Sequence, residues 1–187
     1  MKKMARRFLI IFSLIVLAFI FLEACSKKPA TAQQNAFINP NSNLGKYSLN
    51  ATELQDLYLV SQSNLDKDKL NPNAVSGYAA NFDNKVKNTS SPNYKSVSIN
   101  LQAYNSAEDA KKDFSRDMLP KEVLKNFQEI KLNSTIGDES FTYSRTAMGQ
   151  RRLYVLYRTK NAVVQLNSIG IGTNSTIRYA RIMESKI

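Results

Sequence analysis

Three strand-like runs toward the C-terminal end, Phe141 to Thr146, Arg151 to Thr159 and Ala162 to Ile169, are parted only by Ala147-Met148-Gly149-Gln150 and by Lys160-Asn161. A parallel crossover needs a dozen or more residues, so connections this short force the runs to pair antiparallel. Asn161 tolerates positive φ, as a two-residue hairpin turn requires, whereas its β-branched neighbours would resist it. An antiparallel sheet is therefore the scaffold on which everything else must be placed.

The clearest strand outside that group is Ser96 to Tyr104. There Val97, Ile99, Leu101 and Ala103 alternate with Ser98, Asn100 and Gln102, giving one apolar and one polar face. Asn105-Ser106-Ala107-Glu108-Asp109 follows with a capping residue and acids in the first turn. Ala107, Ala110, Phe114 and Met118 then recur at helical spacing, which predicts a helix of about three turns. Pro120 ends it and opens a shorter helix whose buried stripe is Val123, Leu124 and Phe127. Asp56 to Ser61 and Gly77 to Phe82 read as two earlier strands, joined by the polar stretch from Asn64 to Asn73, and Glu129 to Leu132 as a short one. Asn174 or Ser175 caps a closing helix with Ile177, Ala180, Met183 and Ile187 on one face and Arg178, Arg181 and Lys186 on the other. The expectation is a single α+β domain over residues 47–187, an antiparallel sheet with helices packed on one face.

Ahead of that domain, Met1-Lys2-Lys3-Met4-Ala5-Arg6-Arg7 precedes an unbroken apolar run from Phe8 to Leu22. A cationic end followed by an apolar run shorter than the roughly 20 residues of a comfortable membrane span has the parts of a cleavable export signal. Leu22-Glu23-Ala24-Cys25 closes it and resembles the lipobox of bacterial lipoproteins, although Glu23 stands where that pattern favours a small or apolar residue. The resemblance implies a signal peptide over residues 1–24, lipid on the Cys25 thiol, and a protein held by its acyl chains at the extracytoplasmic face of a cell membrane. Residues 25–46 are polar and lack hydrophobic period, the composition of a flexible tether.

The chain has one cysteine and no histidine. No internal disulfide, disulfide-linked partner, Cys-His pair, Ser-His-Asp triad or histidine-held zinc is therefore expected, and neither is a cofactor or metal. Asp138-Glu139 reads as turn and edge residues rather than an acid-base pair. Asp66-Lys67-Asp68-Lys69 lacks the glycine and terminal glutamate of a calcium loop and reads as a solvated turn. No enzyme chemistry is legible.

Charge is what remains. The formal net charge is +11, and losing Lys2, Lys3, Arg6, Arg7 and Glu23 with the signal still leaves +8. Arg145, Arg151, Arg152, Arg158, Lys160, Arg178 and Arg181 crowd the last third, with Tyr143, Tyr154, Tyr157 and Tyr179 among them. They are the candidate residues for binding an anionic surface, an envelope polymer or an envelope protein; export disfavours nucleic acid. The competing reading scatters the arginines and buries the tyrosines. Ile136-Gly137-Asp138-Glu139-Ser140-Phe141, Ala107-Glu108-Asp109-Ala110 and Arg158-Thr159-Lys160-Asn161 resemble secreted bacterial domains with a PsbP/Mog1-like fold, over most of residues 54 to 187. That resemblance implies a non-catalytic module that binds a ligand or partner, and it assigns no binding residue. The function expected is a lipid-anchored, non-enzymatic envelope protein that binds through its basic domain; the alternative is a sensor or solute-binding domain with a pocket under the sheet.

Overall fold

The computed structural model describes residues 37–187 except Met148. The expected signal peptide, the Cys25 lipidation site and the tether up to residue 36 lie outside the described residues. Among those described, no helix is long and apolar enough to cross a membrane.

Seven strands form one antiparallel sheet: β1 (Tyr58–Asn64), β2 (Ala74–Asp83), β3 (Ser96–Tyr104), β4 (Gln128–Glu129), β5 (Glu139–Ala147), β6 (Gln150–Thr159) and β7 (Ala162–Ile169), in the spatial order β1-β2-β3-β7-β6-β5-β4. Between β3 and β4 the chain makes α1 (Ala107–Asp113) and α2 (Lys121–Asn126); α3 (Thr173–Lys186) closes it. The helical connection carries the chain from β3 to the far edge, and the β4-β5-β6-β7 meander returns it to pair with β3. Ile99 faces Leu166, and Leu101 faces Val164, across that central seam.

The α+β class and the antiparallel sheet are as the sequence leads one to expect, but the helices divide between the two faces. Val97, Ile99 and Leu101 of β3 point to a core shared with Leu153, Val155 and Tyr157 of β6 and with Tyr179, Ala180 and Met183 of α3. On the other side Tyr104, Leu156, Val163 and Tyr143 meet Ala110 of α1 and Val123 of α2. The physical reason is that β6 and β7 are apolar on both sides of the pleat, so both faces need cover. Fully burying each Leu, Ile or Val contributes about 1.5–3 kcal/mol, enough that neither face could stay open to water.

Several expectations change at the boundaries. Packing reaches back past the expected start at residue 47 to Ile38, because Ile38 and Leu44 are 1% and 2% exposed within the core and Leu44–Tyr47 forms a 3-10 turn. Helix α1 stops after seven residues rather than three turns. Asp113 accepts from the Asn73 backbone N–H at 2.9 Å, and Phe114 leaves the helix to stack on Phe141 at 5.4 Å, which ends the run. Leu124 is exposed, so the buried stripe of α2 reduces to Val123 with half-buried Phe127. At the start of α3 neither Asn174 nor Ser175 caps; the helix begins at Thr173 after Gly172. Thr176 ties that end down, its hydroxyl 2.8 Å from that of Ser168 and donating to the Gly172 carbonyl.

The Lys160-Asn161 turn is where expected, with Thr159 opposite Ala162. Its positive φ, however, falls on Lys160 and not on Asn161. Asn161 acts through its side chain instead. Its buried Nδ2 donates to the Ile38 carbonyl at 2.8 Å and the Tyr104 carbonyl at 2.6 Å, while Oδ1 accepts from the Ile38 N–H at 2.9 Å. One amide thus joins the N-terminal arm, the end of β3 and the β6–β7 turn.

Two buried tyrosines make the fold sensitive to alkali. Burial pushes the Tyr104 phenol up to about 12, and burial with the Glu184 charge pushes Tyr157 upward too. A raised phenol favours its neutral form in the folded state, so this contribution is intact below about pH 10 and is lost as pH climbs through about 12. Tyrosinate absorbance is expected to rise together with loss of circular dichroism in that window. Titration of every tyrosine near its ordinary value with the fold intact would contradict the burial.

Candidate anion-binding cleft

The β5–β6 hairpin sets its arginines by pleat and register. Arg145 lies directly opposite Arg152, and Thr146 opposite Arg151. Arg152 shares a face with Tyr154 and Leu156, the α1–α2 side, while Arg151 points to the α3 side and donates to Thr173 Oγ1 at 2.7 Å. Adjacent arginines in the sequence are thus on opposite surfaces.

Arg145 and Arg152 are both exposed, and neither side chain has a hydrogen bond or ion pair among the described residues. Like charges directly opposite on a sheet are destabilising by a few tenths to about 1 kcal/mol. Both line a cleft of about 190 Å³, with Gln150 and Ala147 as floor, Ser90 on one wall and Glu122 and Phe127 of the α2 region on the other. Gln150 is buried and donates through Nε2 to the carbonyls of Thr89 and Ser91, which pins the loop that forms the first wall. Phe127 meets Tyr154 edge-on at 5.3 Å and stiffens the second. Burial raises the Tyr154 phenol; Arg152 opposes that shift and Glu122 adds to it. Glu122 lines the cleft without an ion pair to either arginine, so two positive charges face one negative.

The other predicted cations are committed elsewhere. The Arg158 side chain is 10% exposed and donates to Asp138 Oδ2 at 2.8 Å and Glu139 Oε2 at 3.3 Å. The Asp138-Glu139 pair is therefore a structural anchor, consistent with its reading as turn and edge residues. Lys160 donates through its backbone N–H to Asp138 and through Nζ to the Ile187 oxygen. Arg181 donates to Glu184 at 3.2 Å and to both Ser134 oxygens, and Glu184 in turn accepts from the Gly137 N–H. Arg178 lies over the Tyr179 ring at 5.7 Å. The seven residues do not make one patch. Tyr143, Tyr157 and Tyr179 are buried and Tyr154 is half-buried, so the aromatics belong to the cores.

A second region of concavity borders the opposite edge of the sheet. Two clefts of about 610 and 430 Å³ lie between β1, the following turn and the N-terminal arm, and Asn64 lines both. Among the described residues lining them, Lys67 is the sole charged side chain.

The class defined by this architecture is an α+β domain with a single seven-stranded antiparallel sheet. No family model and no curated protein matches the chain. Among solved structures it is similar to the extracellular domain of PknH from Mycobacterium tuberculosis, with a TM-score of 0.56 at 13% sequence identity. The match covers 75% of this chain and 92% of that one. At that identity the likeness shows the fold.

Proposed function

We propose that the protein is a lipid-anchored, non-enzymatic component of the cell envelope that grips an anionic polymer or surface through the Arg145–Arg152 cleft. The observation that carries this reading is selective pairing: Arg158 and Arg181 are held by internal carboxylates, whereas Arg145 and Arg152 oppose each other without one. Holding two unpaired guanidiniums side by side costs stability, and an anion between them would offset that cost through charge-assisted, forked hydrogen bonds. Hydroxyls on the same ligand would give Glu122 and Ser90 partners, so a phosphate or carboxylate borne on a polyhydroxylated chain fits better than a bare ion. The lipobox-like Leu22-Glu23-Ala24-Cys25 sequence supports anchoring outside the cytoplasm, and the similarity in fold to an extracellular domain agrees with that side of the membrane.

The anchor is tested by labelled fatty acid, which the wild-type chain should incorporate and Cys25→Ala should not; equal labelling would refute it. For the cleft, unlipidated protein should co-sediment with anionic vesicles, release as salt shortens the Debye length, and ignore neutral vesicles. Equal sedimentation with both would rule out the charge reading.

A further inference from the structure

The geometry points to a second binding site, for an uncharged oligosaccharide rich in hydrogen-bond acceptors, in the groove that the two clefts form beside β1. It goes beyond the anionic reading and does not depend on it. The clefts share Asn64 and are parted by the 3-10 turn at Leu44–Tyr47, whose Leu44 lines one and Gly45 the other. Their volumes fall in the range of small-molecule sites.

Apart from Lys67 the lining carries no charge in a strongly cationic chain, and three of its amides have only donors to spare. Asn43 Oδ1 already accepts from the Gly45 N–H, Asn50 Oδ1 accepts from the Thr52 and Glu53 N–H groups, and Gln62 Oε1 accepts from the Tyr78 hydroxyl at 2.7 Å. Each oxygen is used and each amide NH2 is left without a protein partner among the described residues. The Asn64 amide has no partner there at either atom, and the Ser42 hydroxyl is buried and unpartnered. A ligand seated over these amides must supply oxygens, and an uncharged one fits best, because a cation would meet no carboxylate in the lining and an anion only the exposed Lys67. Carbonyl oxygens of acetamido sugars meet that demand better than hydroxyls, which are donors as well as acceptors. An extended peptide added to β1 fits less well. The β1–β2 register breaks between Leu59 and Ser61, and such a bulge turns an edge away from regular strand pairing.

The test is a titration of the full chain in detergent with chitotetraose, maltotetraose and an uncharged oligopeptide, followed by backbone amide chemical shifts. Chitotetraose is expected to shift Asn43, Gln62 and Asn64 saturably, to bind more tightly than maltotetraose, and to lose at least about tenfold in affinity in the exposed-site variant Gln62→Ala/Asn64→Ala. Arg145→Gln should leave that affinity unchanged, which separates this site from the basic cleft. Absence of saturable shifts with chitotetraose, shifts confined to other surfaces, equal binding of maltotetraose, or binding of the peptide in preference to the sugar would each overturn the proposal.

Discussion

Gly170→Ala is expected to destabilise the fold by about 3–5 kcal/mol, the combined scale of a strained positive φ and of overpacking against rigid atoms. Gly170 follows β7 at φ +70, and its N–H donates to the Arg151 carbonyl at 2.8 Å. A Cβ built there would stand 2.0 Å from the Tyr94 backbone oxygen. Backbone cannot rotate aside as a side chain would, so either the Tyr94 loop or the end of β7 must move. Gly149 is the control: at φ +72 it has the same backbone demand, but its chain neighbours aside no described residue lies within 4 Å of the added Cβ. Gly149→Ala should therefore cost only the positive-φ strain, about 1–2 kcal/mol. Denaturant unfolding of the two variants separates the contributions. Equal losses would show that the approach to Tyr94 carries no energy.

Asn161→Leu comes next, at about 3–5 kcal/mol, which for a domain of this size lowers the thermal midpoint by roughly 6–20 °C. Three buried hydrogen bonds disappear together, and the Ile38 N–H, the Ile38 carbonyl and the Tyr104 carbonyl lose their partner in a place closed to water. Asn161→Asp keeps the shape but turns a donor into a carboxylate oxygen facing two carbonyls, and it should be at least as damaging. Amide exchange should show the loss first in the arm around Ile38. Unfolding within about 1 kcal/mol of wild type, with the arm still protected, would mean that the amide clamp is dispensable.

Much of the architecture follows from patterns readable in the chain. β3 and β7 have the bounds read from the sequence, β3 because its alternation is long and regular, β7 because the Lys160-Asn161 turn fixes where it starts. The arm is different. Ile38, Leu44, Leu49, Leu54 and Leu57 are buried one at a time along an irregular path, and isolated apolar residues in a polar stretch leave no period to read. Helix α1 ends early because Phe114 stacks on Phe141 of β5, on the sheet face that α1 covers, a tertiary contact that overrides local spacing.

The basic site is legible in composition but not in pairing. The split of Arg151 from Arg152 is contained in the two-residue period of β6, and the opposition of Arg145 to Arg152 in the hairpin register. The capture of Arg158 by Asp138 and Glu139 could also be read from the same register, since Glu139 falls directly opposite it. The tethering of the Ser90 loop by Gln150 has no local signal, as the partners are about sixty positions apart.

The central claim is that Arg145 and Arg152 are held together for an anion rather than for the fold. The direct test is to measure both stability and binding to anionic vesicles in Arg145→Gln/Arg152→Gln. Relief of the opposed charges should leave stability unchanged or raise it by up to about 1 kcal/mol, while binding weakens by roughly 2 kcal/mol, about 30-fold. A variant that loses stability and still binds like wild type would contradict the claim.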